Sequence, residues 1–127
     1  DTRPWLGSLM DILPPVERED IRRAIHSGAC GIYHAAVHNL LHDKSAPLLG
    51  ELYKQASFIL QAKHFLETGE DLTTPQALLP RLGEEDRAIL GGLEGTASLS
   101  GPESARFRPL SEALIVWASR LIQTYHP

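Results

Sequence analysis

A single cysteine, Cys30, stands among the 127 residues. An intramolecular disulfide is excluded, and with it a disulfide-stapled secreted domain. Between Ala29 and Gly31, Cys30 reads as a small buried apolar residue rather than a reactive thiol. Long apolar runs are missing too. Nothing approaches the ~20 residues of a membrane span, and no basic start with an apolar centre marks a signal peptide. These absences point to a cytoplasmic protein with no membrane partner. Excess positive charge is also lacking. The net charge is −4, so there is no general pull toward nucleic acid, although a local basic pocket stays open. Strand signals are nearly absent, with no Asn-Gly turn and no sustained alternation of Val, Ile and Thr. There is no phosphate-cradling glycine loop after a strand, no Ser-His-Asp spacing and no cysteine-based metal motif. No cofactor is implied.

What is present is an ordinary globular balance, with 43% hydrophobic and 22% charged residues. The length suits one domain, and the whole chain 1–127 reads as a single helical domain. Asp1 in place of Met suggests a trimmed chain or a fragment of a longer two-domain protein.

Periodicity and breakers divide the chain into helices. Trp5, Leu6, Leu9, Met10, Ile12 and Leu13 form a short apolar cluster ended by Pro14 and Pro15. A helix starts at Pro15, with early acids, late Arg22, Arg23 and His26, and a cap at Gly28. The next runs from about Ala29 to Leu41. The longest, about 22 residues, starts near Ser45 and stops at Gly69. Its apolar arc centres on Leu48, Leu52, Ile59 and Leu66, and Phe58 and Phe65 extend it. Thr73 and Gln76 fit a capping box before a short helix ended by Pro80. Another short helix covers Glu84 to Leu90 and stops at Gly91 and Gly92. The segment 93–104 reads as a surface loop. The last helix spans about Pro109 to Tyr125. The fold class is all-α, a bundle of four to five helices.

Three constellations carry candidate chemistry. His34, His38 and His42 fall at about 0°, 40° and 80° on a helical wheel, beside the apolar arc. Asp43 lies about 100° beyond His42, so no carboxylate joins the stripe. The histidines mark the border between core and water, and no metal site is assigned to them. Lys54, Gln61 and His64 interrupt the long helix. They are either a partly exposed face or the wall of a substrate-binding cleft. Arg120 and His126 have the Arg-x(4–6)-His spacing of small helical (HEPN-like) ribonucleases, in which Arg stabilises phosphate charge and His does acid–base work. Leu121 replaces the polar residue usual after that Arg. Arg106 and Arg108 beside Phe107 make a small basic patch, explained by solvated charges near a helix start.

The stretch from Tyr53 to Leu82 carries a resemblance. Leu66-Glu67-Thr68-Gly69 ends a long helix, Thr73-Thr74-Pro75 restarts the chain, and Leu79-Pro80 stops it. This order is similar to the helical domain that follows the catalytic domain in small bacterial nucleotidyltransferases of the aminoglycoside adenylyltransferase-like kind. Pro75-Gln76 stand where that group often has Lys. The catalytic half, a Gly-Ser turn followed by paired Asp residues on a strand, has no counterpart here. Gly7-Ser8 with Asp11 is the nearest string, and it has no strand pattern. The resemblance implies a non-catalytic accessory domain that helps bind an acceptor, its partner being a catalytic domain in the same or a separate chain. A small-molecule acceptor fits that role. The alternatives are the ribonuclease, or a homodimerising bundle joined through Trp5 and Leu9.

Overall fold

Ile25, Ala29, Ile32 and Ala36 recur at helical spacing, and all four are buried along one continuous helix, α1 (Pro15–His38). In the computed structural model, which describes residues 15–126, four long helices form an up-and-down bundle. The apolar cluster of Trp5 to Leu13, with its proposed dimer patch, lies outside the described residues.

The helix break expected at Gly28 does not occur. Gly28 sits inside α1 where α2 (Ala46–Thr68) passes close by, and a Cβ there would come within 2.9 Å of Ile59 Cδ1. The glycine serves close packing rather than termination. At 24 residues, α1 rather than the 23-residue α2 is the longest helix. It ends in a π-helical turn, Asn39–Asp43.

Ser45 caps α2, its Oγ accepting from the Leu48 N–H at 3.1 Å. Gly69, at φ 78°, closes the helix with its N–H on the Phe65 carbonyl. The buried face of α2 is Leu49, Leu52, Tyr53, Ala56, Leu60 and His64. That face is rotated from the expected arc and leaves Phe58 56% exposed. The next cap is Thr74 rather than Thr73, with Thr74 Oγ1 accepting from Ala77 N–H ahead of α3 (Pro75–Leu78). A 3₁₀ turn, Leu79–Arg81, follows and includes Pro80.

The fourth helix, α4 (Glu84–Ala97), runs through Gly91 and Gly92. Neither stops it: Gly92 lies against the Tyr53 ring and leaves no room for a side chain, while a Cβ at Gly91 would meet open space. The expected loop is therefore shorter, with α5 (Phe107–Thr124) starting two residues earlier than Pro109. Trp117, Leu114, Ala118 and Leu121 of α5 complete the core.

Paired positions fix the topology. Gly28 meets Ile59, Tyr53 meets Gly92 and Gly95 lies against Leu110, while Arg22 stacks over the Tyr125 ring at 5.0 Å. Each sequential neighbour is thus antiparallel, and α1 and α5 close the ring. The helices α2 and α5 lie on a diagonal and meet little. Tyr53 bridges them, its hydroxyl donating to the Leu110 carbonyl at 2.6 Å. No described helix is long and apolar enough to cross a membrane.

Candidate functional site

The buried stripe of α2, Leu49, Leu52, Ala56 and Leu60, continues at helical spacing into Lys63 and Glu67. One charged residue, Lys63, is thus partly buried at one end of the bundle, with Glu67 exposed at its rim. Lys63 Nζ donates to Asp86 Oδ2 at 2.9 Å, with Glu67 at 3.7 Å on its other side. Asp86 lies in the first turn of α4, where a carboxylate is favoured by the helix dipole. Its second oxygen accepts from Trp117 Nε1–H at 3.0 Å. One carboxylate therefore links α2, α4 and α5. The side chains of Lys63 and Asp86 are only 21% and 16% exposed, so water screens them weakly.

Burial by itself would lower the Lys63 pKa. The hydrogen bond to Asp86 and the charges of Asp86 and Glu67 outweigh it and raise the ammonium above its usual range. Lys63 is held as a fixed cation, the wrong direction for a base or an amine nucleophile. Tyr125 closes the same end. Burial, helped by Glu67, raises its phenol despite Lys63 and Arg22 nearby.

Two cavities flank the Lys63–Asp86 pair. The larger, about 360 Å³, is lined by Lys63, the acids Glu84, Glu85 and Asp86, the Trp117 ring, Arg120 and Thr124. The smaller, about 60 Å³, reaches His64 and Arg81. Arg120 spans the larger one to pair with Glu85, and both side chains are substantially exposed.

The residues singled out by sequence fall in different places. Lys54 is exposed, and no contact joins it to the cleft. Gln61 donates to the Thr73 carbonyl at 3.1 Å, tying the loop after α2 to the helix. His64 is buried and bonds Glu70 at 2.9 Å, while Arg81 pairs with the other Glu70 oxygen at 3.3 Å. The His64 hydrogen bond holds the Glu70 carboxyl below its usual range, opposed by desolvation and helped by the charges of Arg81 and His64. Gln61 and His64 thus shape the turn that the resemblance rests on, and His64 also lines the smaller cavity. Arg120 and His126 turn to different helices. Arg120 faces Glu85 of α4, while the His126 ring lies edge-on to His26 of α1, 5.9 Å between centres. Cys30 is half-buried, its thiol 3.9 Å from His26 Nε2.

Lys63, Asp86 and Trp117 were not singled out by sequence. A signal existed for Lys63, a lysine placed in register with a buried apolar stripe. Asp86 carried none, since Glu84-Glu85-Asp86 reads as an acidic helix start.

His34, His38 and His42 are all exposed, as expected beside the core. The position of Asp43 is corrected. The turn from Asn39 is π-helical, with hydrogen bonds to the fifth residue rather than the fourth, and it brings position 43 back under position 38. Asp43 Oδ2 consequently lies 3.1 Å from His38 Nδ1.

No family model, curated protein or solved structure matches the chain.

Proposed function

We propose that this chain is a helical accessory module of a nucleotidyltransferase-type protein. It binds the acceptor substrate, and a separate catalytic domain supplies the chemistry. The observation that carries the proposal is the cleft between α2, α4 and α5, where three carboxylates face one fixed and one movable cation. The Tyr53–Leu82 segment, which motivated the reading, supplies Lys63 from its long helix.

The cleft suits a polar ligand bearing ammonium groups. Glu84, Glu85 and Asp86 carry more charge than Lys63 and Arg120 neutralise. The exposed Arg120–Glu85 pair is worth roughly 0–1 kcal/mol, so a ligand amine displaces Arg120 cheaply. The half-buried Lys63–Asp86 pair, anchored on buried Trp117, stays in place as the rigid wall. Trp117 and Leu121 back the cleft from the buried core. The contribution to the reaction is positional: the acceptor hydroxyl is held for in-line attack on a nucleotide phosphate bound elsewhere.

Calorimetric titration of the full chain with a polyamino sugar tests this. Saturable, salt-sensitive binding is expected. Glu84→Gln and Glu85→Gln should each weaken it roughly twofold to fivefold, the scale of one screened ion pair. Lys54→Ala should leave it unchanged. Absence of saturable binding, or binding indifferent to both glutamine variants, overturns the proposal.

A further inference from the structure

We infer that His38 and His42 form a binding site for a divalent transition-metal ion, with Asp43 orienting His38. The site lies at the opposite end of the bundle from the charged cleft and stands independently of the function proposed above.

The imidazole rings of His38 and His42 have centres 4.8 Å apart, tilted by 46°. Zinc–nitrogen bonds are about 2.0–2.1 Å, which puts two imidazoles on one tetrahedral ion roughly 4.5–5.5 Å apart between ring centres. The pair therefore already has a chelating separation. The π-turn adds what an ordinary i, i+4 pair lacks. His38 Nδ1–H donates to Asp43 Oδ2 at 3.1 Å, which fixes the tautomer and leaves the Nε2 lone pair free for metal. A carboxylate behind a ligating imidazole also makes it a stronger donor.

The turn that presents these groups is held firmly. Asn39 is fully buried, its Nδ2 donates to the Ser45 carbonyl at 3.0 Å, and its Oδ1 accepts from Ser45 N–H at 2.9 Å. Lys44 adopts a left-handed conformation at φ 51°, and its N–H closes on the Asn39 carbonyl. The ligands thus project from a fixed backbone. Their side chains reach open space, since they line a groove of about 660 Å³ with Tyr33, Leu41 and Leu48 as apolar walls.

Imidazole donors select zinc, copper or nickel over magnesium and calcium. Among the described residues no group of three or more His, Cys, Asp or Glu side chains is arranged to hold one ion. The site is a two-histidine chelate whose remaining positions go to water.

Titration of the full chain with zinc or nickel salts, followed by calorimetry, tests the assignment. One ion per chain is expected, with the ¹⁵N imidazole signals of His38 and His42 shifting together. His38→Ala and His42→Ala should each abolish saturable binding. Asp43→Asn should weaken it about tenfold to a hundredfold, the usual effect of removing a carboxylate behind a ligand. His34→Ala, one turn away, should change it little. These side chains are exposed, and circular dichroism should show every variant folded. The inference is overturned if the wild type binds no tighter than His38→Ala, or if His34→Ala abolishes binding. It is equally overturned if Asp43→Asn binds like the wild type, which would mean an adventitious histidine pair only.

Discussion

Tyr53 does two jobs that can be separated. Its ring fills the space above Gly92, and its hydroxyl bonds across the bundle to the Leu110 carbonyl. Desolvation by burial pushes its phenol up to about 12. The unfolded chain ionises this tyrosine near its ordinary pKa of about 10. Its contribution to stability is therefore complete below about pH 10 and is lost as pH rises toward 12. Tyr53→Phe should cost about 1 kcal/mol at neutral pH through the lost hydrogen bond. It should also flatten the alkaline loss seen in denaturant titrations at successive pH values. Ser111 is the converse case. Its Oγ is buried with no hydrogen-bond partner among the described residues. A buried hydroxyl without a partner costs free energy, so Ser111→Ala should be neutral or raise stability by up to about 1 kcal/mol in thermal denaturation.

At the scale of elements, two glycines that read as helix stops prove to be packing positions. A side chain at Gly92 would overlap the Tyr53 ring, which is pinned by its own hydrogen bond. Gly92→Ala should destabilise by about 1–3 kcal/mol, overpacking outweighing the ~1 kcal/mol gain in helix propensity. Gly28→Ala meets only the flexible tip of Ile59. There the two effects should nearly cancel, and a chemical-denaturation comparison of the two variants separates the cases. The π-turn makes its own prediction. Lys44 sits at φ 51°, a left-handed conformation that costs a side-chain-bearing residue about 1 kcal/mol. Lys44→Gly should raise stability by about that amount without changing helix content by circular dichroism. Chain composition announces a glycine, but only the neighbouring helix says whether it ends a segment or admits a contact. For that reason the expected stops at Gly28 and Gly92 failed, while Gly69, at φ 78°, is a true one.

For the whole molecule, the charged networks set a pH window. Hydrogen bonding to His64, then the charge of Arg81, depress the Glu70 carboxyl. Its contribution is present above the ordinary glutamate pKa of about 4.3 and is lost as pH falls through the depressed folded value. Lys63 is raised, so its contribution is present below the ordinary lysine pKa of about 10.4 and is lost as pH rises through its folded value. Melting temperature against pH should therefore show a plateau falling on both sides. Glu70→Gln should remove part of the acid limb and leave the alkaline limb intact.

The sequence by itself determined that the fold is all-α, where α2 begins and ends, and that His34, His38 and His42 stay at the border with water. Those features are local: periodicity, Ser45 as a cap, and Gly69 as a left-handed stop act within a few residues of chain. Tertiary structure alone decided the rest. The rotation of α2 that buries His64 and exposes Phe58 depends on which helices flank it. The meeting of Lys63, Asp86 and Trp117 joins residues 23 and 31 positions apart along the chain. The return of Asp43 to His38 requires the π-turn, held by buried Asn39 against Ser45. In each case the deciding energy lies in a contact between elements, and a single helix read alone contains no record of it.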